Sequence, residues 1–307
     1  MKIILAGGSG FIGQVLCDFY KDVASEIIIL SRRVEKKEAP IRMVEWDACN
    51  VGTWAKELEN ADMLINLTGK NVNCRYTDQN KAEILSSRID STLALGAAIQ
   101  QLKSPPPLWI QSSSATIYRD SRDLLMTEQE GIKGSGFSEM VCIAWENAFE
   151  SITLPRTRKV LLRTSIVLGP TDSAMPRLMN LVKFGLGGHQ GTGQQFMSWI
   201  HERDVVNVIE WLRKHPSASG IFNCTAPQPV TNDAFMRTLR QEMNIPFGLP
   251  APEFLLALGA KIIGTETELV LKSRKVYPQR LLDNGFVFEF PDLKSALVDL
   301  CQRAKKS

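Results

Sequence analysis

Four glycines near the start of the chain have the spacing of a phosphate-binding turn. Gly7, Gly8, Gly10 and Gly13 follow an apolar run at residues 2–5 and precede apolar residues at helical spacing. Glycine lets backbone N–H groups approach a pyrophosphate, toward which the following helix directs the positive end of its dipole. Both G-x-G-x-x-G from Gly8 and G-x-x-G-x-x-G from Gly7 fit, and the alternative is a glycine hairpin before an ordinary core helix. The pattern predicts a dinucleotide site at Gly7, Gly10, Phe11, Ile12 and Gly13.

The residues at the end of the second apolar run indicate which dinucleotide is bound. The segment EIIILSRR, residues 26–33, ends in Ser31, Arg32 and Arg33 and offers no carboxylate. A site for NAD has an acidic residue here to bind the ribose 2′-hydroxyl, whereas arginine accommodates a 2′-phosphate. The sequence therefore predicts NADP(H), with contacts from Ser31 and Arg32. The alternative is that both arginines are merely solvated at a strand end.

Short apolar runs that alternate with helical patterns must position these residues. The runs lie at 2–5, 26–30, 42–46, 62–67, 108–111, 160–167 and 221–224, and the longest helical pattern covers 78–102. Such alternation predicts an α/β fold, a Rossmann-type doubly wound parallel sheet of about seven strands with a smaller C-terminal substrate region.

The predicted domain boundaries follow a change in amino-acid composition after about residue 169. Residues 1–170 form the predicted NADP-binding domain, to which 196–228 return, while 171–195 and 229–307 form the smaller substrate and lid region. The segment GLGGHQGTGQQ, residues 185–195, is interpreted as a lid over the cofactor cleft or as an ordinary loop. Asp204 is expected to cap a helix over 205–214.

Composition excludes several classes of function. A net charge of +3 over 307 residues is too small to indicate nucleic-acid binding. Six cysteines without a C-x-x-C pair, together with three histidines, predict neither a metal site nor a disulfide framework. No apolar run is long enough to span a membrane and no leader pattern precedes the first strand, so a cytoplasmic protein is expected.

Several segments in order along the chain resemble one family. SSSATIYR, residues 112–119, is similar to the segment after the fifth strand in extended short-chain dehydrogenase/reductases such as nucleotide-sugar epimerases. Four more segments resemble the atypical "epimerase family" branch, which has its own C-terminal domain: NLTGKNVNCRY (66–76), SSR (86–88), SWIHERD (198–204) and VYPQRLLDNGFVFEFPDL (276–293). The resemblance covers nearly the whole chain.

The resemblance implies roles for particular residues. Ser114 would help to hold a substrate hydroxyl or carbonyl. Cofactor contacts would come from Ser31, Arg32, Leu67, Thr68, Gly69, Glu83, Arg88, Ser165 and Val167, the last two facing the nicotinamide. For Glu83 and Arg88 the alternative is an ordinary intrahelical charge pair.

The chain departs from the family where the reaction is catalysed. Most active members use Y-x-x-x-K, in which lysine lowers the tyrosine pKa, but here FSEMVCIAWE places Ser138 and Cys142 at those positions. Tyr118 is one candidate substitute as proton donor, and the alternative is a packing residue. His201 is another, and the alternative is that it fixes a loop.

Two hypotheses follow. The first is an NADP(H)-dependent oxidoreductase or nucleotide-sugar epimerase/dehydratase-like enzyme acting on a nucleotide sugar or another small carbonyl or hydroxyl compound. The second is a catalytically silent NADPH-binding regulatory or scaffold protein. A homodimer is the expected assembly if the long helix pairs as in related folds.

Overall fold

Seven parallel strands form the central sheet in a computed structural model that describes residues 1–254, 256 and 271–305. The strands in chain order are β1 (Lys2–Ala6), β2 (Glu26–Ser31), β3 (Ile41–Glu45), β4 (Met63–Asn66), β5 (Leu108–Ser114), β6 (Leu125–Met126), β7 (Arg158–Thr164), β8 (Ile166–Leu168), β9 (Phe196–Met197), β10 (Trp199–His201), β11 (Gly220–Cys224), β12 (Val230–Thr231) and β13 (Lys275–Val276). The central sheet has the order β11-β7-β5-β4-β1-β2-β3, and the other six strands form three short pairs.

The strand order creates a crevice beside β1. From β1 the chain proceeds to β2 and β3 on one side, and it then crosses to β4, β5, β7 and β11 on the other. In an open parallel sheet the crevice at such a reversal, outside the carboxyl ends of the strands, is where ligands bind. The predicted Rossmann-type fold is confirmed.

Helices cover both faces of the sheet. They are α1 (Phe11–Tyr20), α2 (Asp78–Gln100), α3 (Phe137–Glu150), α4 (Met175–Lys183), α5 (Glu202–Lys214), α6 (Asn232–Glu242), a short helix Gln279–Asp283 and a C-terminal helix Leu293–Ala304. Because side chains alternate along a strand, Ile3 and Leu5 of β1 pack with α1 and α5, whereas Ile4 and Ala6 pack with α2 and α3. None of the helices in the described part of the chain is both long and apolar enough to cross a bilayer.

A separate apolar cluster joins α4, α6 and the C-terminal helix. It includes Met175, Trp199, Phe235 and Leu297, all fully buried. The short helix after β13 behaves differently, since Leu281 and the nearby Phe286 pack in the cluster formed by α1 and α5. The division of the chain at 170, 196 and 228 stays a prediction.

The glycine-rich segment 185–195 is held by backbone hydrogen bonds. Gly188 N–H donates to Leu249 O over 3.0 Å, and Gly191 N–H donates to Ala251 O over 2.9 Å. Gln190 N–H donates to the buried side chain of Asn232 over 2.7 Å. The segment therefore forms part of a wall with residues 248–251, and its role as a lid stays a prediction.

Helix α5 begins earlier than the sequence predicts. His201 is its N-cap, because the Nδ1 atom accepts the N–H of Arg203 over 3.1 Å. The expectation that Asp204 caps this helix is wrong. Its carboxylate instead accepts the N–H groups of Glu289 (2.8 Å) and Phe290 (3.0 Å), which fixes the segment before the C-terminal helix.

Candidate cofactor and active site

The packing of the glycine turn and of the first turn of α1 leaves no room for a side chain at Gly7 or Gly13. Gly7 has a φ of +71°, and its N–H donates to Leu30 O over 2.9 Å. A Cβ on Gly7 would lie 2.9 Å from the backbone of Thr68, and a Cβ on Gly13 would lie 2.1 Å from Gly8 O. The first contact places the segment after β4 against the turn, and the second places the first turn of α1 against Gly8 of the same turn. The protein's own packing therefore requires both glycines.

Gly10 is different, because packing does not require a glycine there. It is exposed, and a Cβ on it would meet nothing closer than Gly7 O at 4.0 Å. Gly10 is also the N-cap of α1, which begins without a side-chain cap. The first N–H groups of the helix are thus open to an anion that approaches the backbone closely. These residues fit the pyrophosphate of a dinucleotide.

The end of β2 presents a hydroxyl and two cations. Ser31 is half-buried and its Oγ accepts the N–H of Arg33 over 3.3 Å. Arg32 is exposed, and it forms no salt bridge with any residue that the structure describes. Its charge instead helps to lower the pKa of Glu83 and opposes the rise that burial causes in the pKa of Cys49. A phosphate beside Ser31 would meet a free guanidinium.

The end of β4 lies under the glycine turn. Leu67 N–H donates to Ala6 O over 2.8 Å, and Thr68 N–H donates to the Asn66 side chain over 3.0 Å. Asn66 is fully buried and also donates to Gln111 over 3.0 Å. The buried Thr68 hydroxyl has no hydrogen-bond partner among the described residues. These contacts hold Leu67, Thr68 and the exposed Gly69 beside Gly7.

Glu83 and Arg88 of α2 do not pair with each other. The Glu83 carboxylate is exposed and accepts from Lys70 and Gln79, and the hydrogen bond from Lys70 lowers its pKa. Arg88 instead donates to the carbonyls of Lys70 (3.1 Å) and Ile84 (2.9 Å), and its guanidinium lies over the ring of Trp145. Burial lowers the pKa of Arg88, yet guanidinium stays charged in proteins.

The remaining predicted cofactor contacts belong to the first turn of α1 and to residues 165–167. Phe11, Ile12 and Val167 line one narrow apolar gap against α5. Ser165 N–H donates to Cys224 O over 3.1 Å, which joins the start of β8 to the end of β11. The contact of these residues with a cofactor stays a prediction.

Ser114 stands at the end of β5, with its hydroxyl half-buried. Its Oγ accepts the N–H of Thr116 over 3.1 Å and donates to the Thr116 hydroxyl over 2.9 Å. On the facing helix, α3, both Ser138 and Cys142 are buried. Burial raises the pKa of the Cys142 thiol to about 12, so the thiol is neutral and supplies no cation.

Tyr118 is a structural residue in this environment. It is fully buried, and its hydroxyl accepts from Arg163 over 2.9 Å while bonding Asn223 Oδ1 (2.8 Å) and Thr127 O (3.1 Å). Arg163 in turn forms a buried two-bond ion pair with Glu146. The geometry therefore speaks against Tyr118 as a proton donor, because no part of its hydroxyl is available to a substrate.

His201 is equally enclosed. Its Nε2 atom lies 3.1 Å from the Asp299 carboxylate and its ring stacks on Phe290. Burial lowers the pKa of His201 to about 4 despite the opposing effect of Asp299. The ring is neutral near pH 7 and fixes the start of α5. No group of three or more metal-binding side chains occurs within the described residues.

The comparisons agree with this geometry. Residues 3–225 match the NAD dependent epimerase/dehydratase family. The chain belongs to this family. Residues 251–300 match a second model, a domain of unknown function (DUF1731). The predicted resemblance to an epimerase branch with its own C-terminal domain is confirmed.

Similar proteins cover the epimerase-family chain from end to end. Epimerase family protein YfhF of Bacillus subtilis (strain 168) is 34% identical over 301 residues, 98% of each chain. Epimerase family protein MW0731 of Staphylococcus aureus (strain MW2) is 33% identical over 302 residues, 97% of this chain and 98% of the other.

Solved structures give the same architecture. Human epimerase family protein SDR39U1 (isoform 2), solved with NADPH, superposes with a TM-score of 0.87 at 28% identity over 98% of this chain and 99% of the human one. MoeE5, solved with UDP-glucose and NAD, has a TM-score of 0.75 at 17% identity over 99% and 100% of the two chains. The second likeness concerns the fold alone.

Tyr76 is the residue that sequence reasoning missed. It is the last residue of the segment NLTGKNVNCRY and directly precedes Thr77, the N-cap of α2. Its hydroxyl lies 3.4 Å from Ser138 Oγ, and its ring packs edge-on against Phe137 at 5.0 Å. The signal in the sequence was an aromatic residue inside a segment already recognised as characteristic of the family.

Proposed function

We propose that this epimerase-family protein binds NADP(H) and transfers a hydride between it and a small carbonyl or hydroxyl compound. The observation that carries the proposal is the end of β2, where Ser31 and the unpaired Arg32 stand in place of a carboxylate. A 2′-phosphate would satisfy that guanidinium, whereas a ribose hydroxyl would leave it unused.

Three groups of residues would hold the cofactor. The glycine turn and the N-terminus of α1 would bind the pyrophosphate, and the ends of β2 and β4 would bind the adenosine half. Phe11, Ile12, Ser165 and Val167 would enclose the nicotinamide half, and Arg88 would face the ribose beside Gly69. Bound NADPH supplies a hydride. Ser114 would orient the substrate oxygen that receives it.

The human relative solved with NADPH supports the choice of phosphate-bearing cofactor, since its likeness spans nearly the whole chain. We further propose that the substrate lies between the nicotinamide and the region formed by 171–195 and 229–307. A nucleotide sugar is one candidate for this substrate. The cytoplasmic location and the homodimer stay predictions.

Calorimetric titration with NADPH and NADH tests the cofactor. We expect wild type to prefer NADPH, and Arg32→Ala to weaken NADPH binding about tenfold to a hundredfold while NADH binding changes less than about twofold. Lys294→Ala removes an exposed cation from the C-terminal helix and is the matched control. Equal affinity of wild type for the two cofactors would refute the proposal.

One observation favours a second function. Ser138 and Cys142 occupy the positions of the usual tyrosine and lysine, and neither can donate a proton as that pair does. A catalytically silent NADPH-binding regulatory or scaffold protein would retain the cofactor site alone. It is distinguished by turnover: such a protein binds NADPH but oxidises it no faster with a panel of carbonyl compounds than without.

A further inference from the structure

The Tyr76 hydroxyl lies close to the position on α3 where most active family members have a tyrosine. Tyr76 OH lies 3.4 Å from the Oγ of Ser138, the residue at the family's tyrosine position. Tyr76 comes from a different element, the segment before α2, and its ring is held against Phe137 of α3. The phenol thus approaches this position from the opposite wall of the crevice.

The Arg88 guanidinium lies near Cys142, the residue at the family's lysine position. The Arg88 guanidinium lies over Trp145, one helical turn from Cys142 on α3. Its charge acts on both the Cys142 thiol and the Tyr76 phenol. Arg88 is held by two backbone carbonyls, and no carboxylate pairs with it among the described residues.

The small residues Ser138 and Cys142 of α3 are compatible with a phenol and a guanidinium at these places. A tyrosine side chain at 138 would need the space beside Ser138 Oγ that the Tyr76 hydroxyl occupies. A lysine at 142 would place a second buried cation near Arg88, and like charges at short range in a buried site are unfavourable. Serine and neutral cysteine avoid both conflicts.

The same corner adjoins the end of β5. Cys142 packs in one buried cluster with Ala115, the residue after Ser114. The phenol, the guanidinium and the Ser114 hydroxyl are therefore borne by three neighbouring elements at one end of the sheet.

We propose that Tyr76 and Arg88 form an acid–cation pair that takes the catalytic role of the family's Tyr-x-x-x-Lys pair from a different part of the fold. This rests on the proposed NADP(H)-dependent reaction. In the reducing direction NADPH, when bound, would supply a hydride to the substrate carbonyl carbon and would become NADP⁺. The C=O π bond opens and its electron pair takes the proton of the Tyr76 hydroxyl. Arg88 stabilises the resulting phenolate, which regains a proton from water.

Other charged groups that the structure describes near Phe137 and Cys142 have contacts of their own. Lys81 of α2 lies 5.6 Å from the Phe137 ring centroid. Glu139 of α3 is ion-paired with Lys272 and Arg274. Cys142 is neutral. Glu146 of α3 is ion-paired with Arg163. Arg88 is thus a buried cation that no carboxylate of the described residues pairs with.

The titration of the phenol tests the pair without any cofactor. The chain has four tyrosines, so protein labelled with ¹³C at tyrosine Cζ gives four NMR signals, and Tyr76→Phe identifies the one of interest. We expect Arg88→Gln to move the ionisation midpoint of Tyr76 upward by about one pH unit, while Arg88→Lys moves it less because the charge is kept. Lys294→Gln is the matched control.

Turnover and binding complete the test. We expect Tyr76→Phe to lower kcat at least about a hundredfold with NADPH affinity within about twofold of wild type. Tyr277→Phe removes the same hydroxyl from a tyrosine outside the pair and should retain most of the rate. The pair is refuted if Arg88→Gln and Lys294→Gln leave the same Tyr76 midpoint, or if Tyr76→Phe turns over as wild type does. If Arg88→Gln shifts the Tyr76 midpoint but the wild-type protein binds no NADPH, the proposed function is refuted instead.

Discussion

Replacement of Tyr118 by phenylalanine separates structure from chemistry at the end of β5. The change removes one hydroxyl and leaves the ring in place. It deprives the Arg163 guanidinium of an acceptor at 2.9 Å and Asn223 Oδ1 of a donor at 2.8 Å, both in a buried site. Loss of a hydrogen bond to a buried charged group costs about 2 kcal/mol, and an unsatisfied neutral group costs about 1 kcal/mol. The expected loss is therefore about 3 kcal/mol of unfolding free energy.

Thermal unfolding followed by tryptophan fluorescence measures this loss. About 3 kcal/mol corresponds to a fall in Tm of roughly 6 °C for a domain of a few hundred residues. Tyr277→Phe is the matched control, because its hydroxyl makes no hydrogen bond within the described residues, and we expect a change below about 0.5 kcal/mol. NADPH affinity and turnover at 25 °C should be unchanged in both variants. A Tyr118→Phe protein that melts as wild type does but has lost turnover would refute the structural role.

Three further outcomes follow from the contacts of other residues. Gly13→Ala places a Cβ 2.1 Å from Gly8 O, so we expect a loss of at least about 2 kcal/mol in stability and weaker NADPH binding, measured by urea unfolding and calorimetry. Burial lowers the pKa of His201 to about 4, below its unfolded value of about 6.5. The unfolded chain then binds more protons between these values, so stability should fall as pH drops from about 6.5 to 4, and His201→Gln should flatten that dependence in urea titrations. The buried Cys142 thiol, with its pKa raised to about 12, should resist iodoacetamide at pH 7.5 in the folded protein, whereas the exposed Cys49 should react, as mass spectrometry of tryptic peptides would show.

The crevice could be predicted from sequence because it depends on local patterns. Glycines after an apolar run, and polar residues at strand ends, all lie at one edge once the strands are parallel. Ser31, Thr68 and Ser114 therefore all lie at or just beyond the carboxyl ends of parallel strands, which could be expected without any knowledge of the strand order.

The surroundings of Tyr118 and Tyr76 could not be predicted in that way. Tyr118 is enclosed by Asn223, 105 residues later, and Tyr76 meets Ser138 across 62 residues. Glu83 pairs with Lys70, and Asp204 binds the backbone of Glu289. Each of these outcomes depends on a long-range contact that spacing along the chain does not encode.

Helix α3 is anchored by two carboxylates that lie beside Ser138 and Cys142. Glu139, next to Ser138, is buried and binds Lys272 and Arg274 from the segment before β13. Glu146, one turn beyond Cys142, binds Arg163 of β7 and the Ser113 hydroxyl. Buried carboxylates remain ionised only when cations and donors satisfy them, so both sites fix α3 rigidly in place. Helix α3 is thus fixed to the C-terminal region through Glu139 and to the sheet through Glu146. It is therefore a rigid surface against which the phenol of Tyr76 and the guanidinium of Arg88 can be positioned.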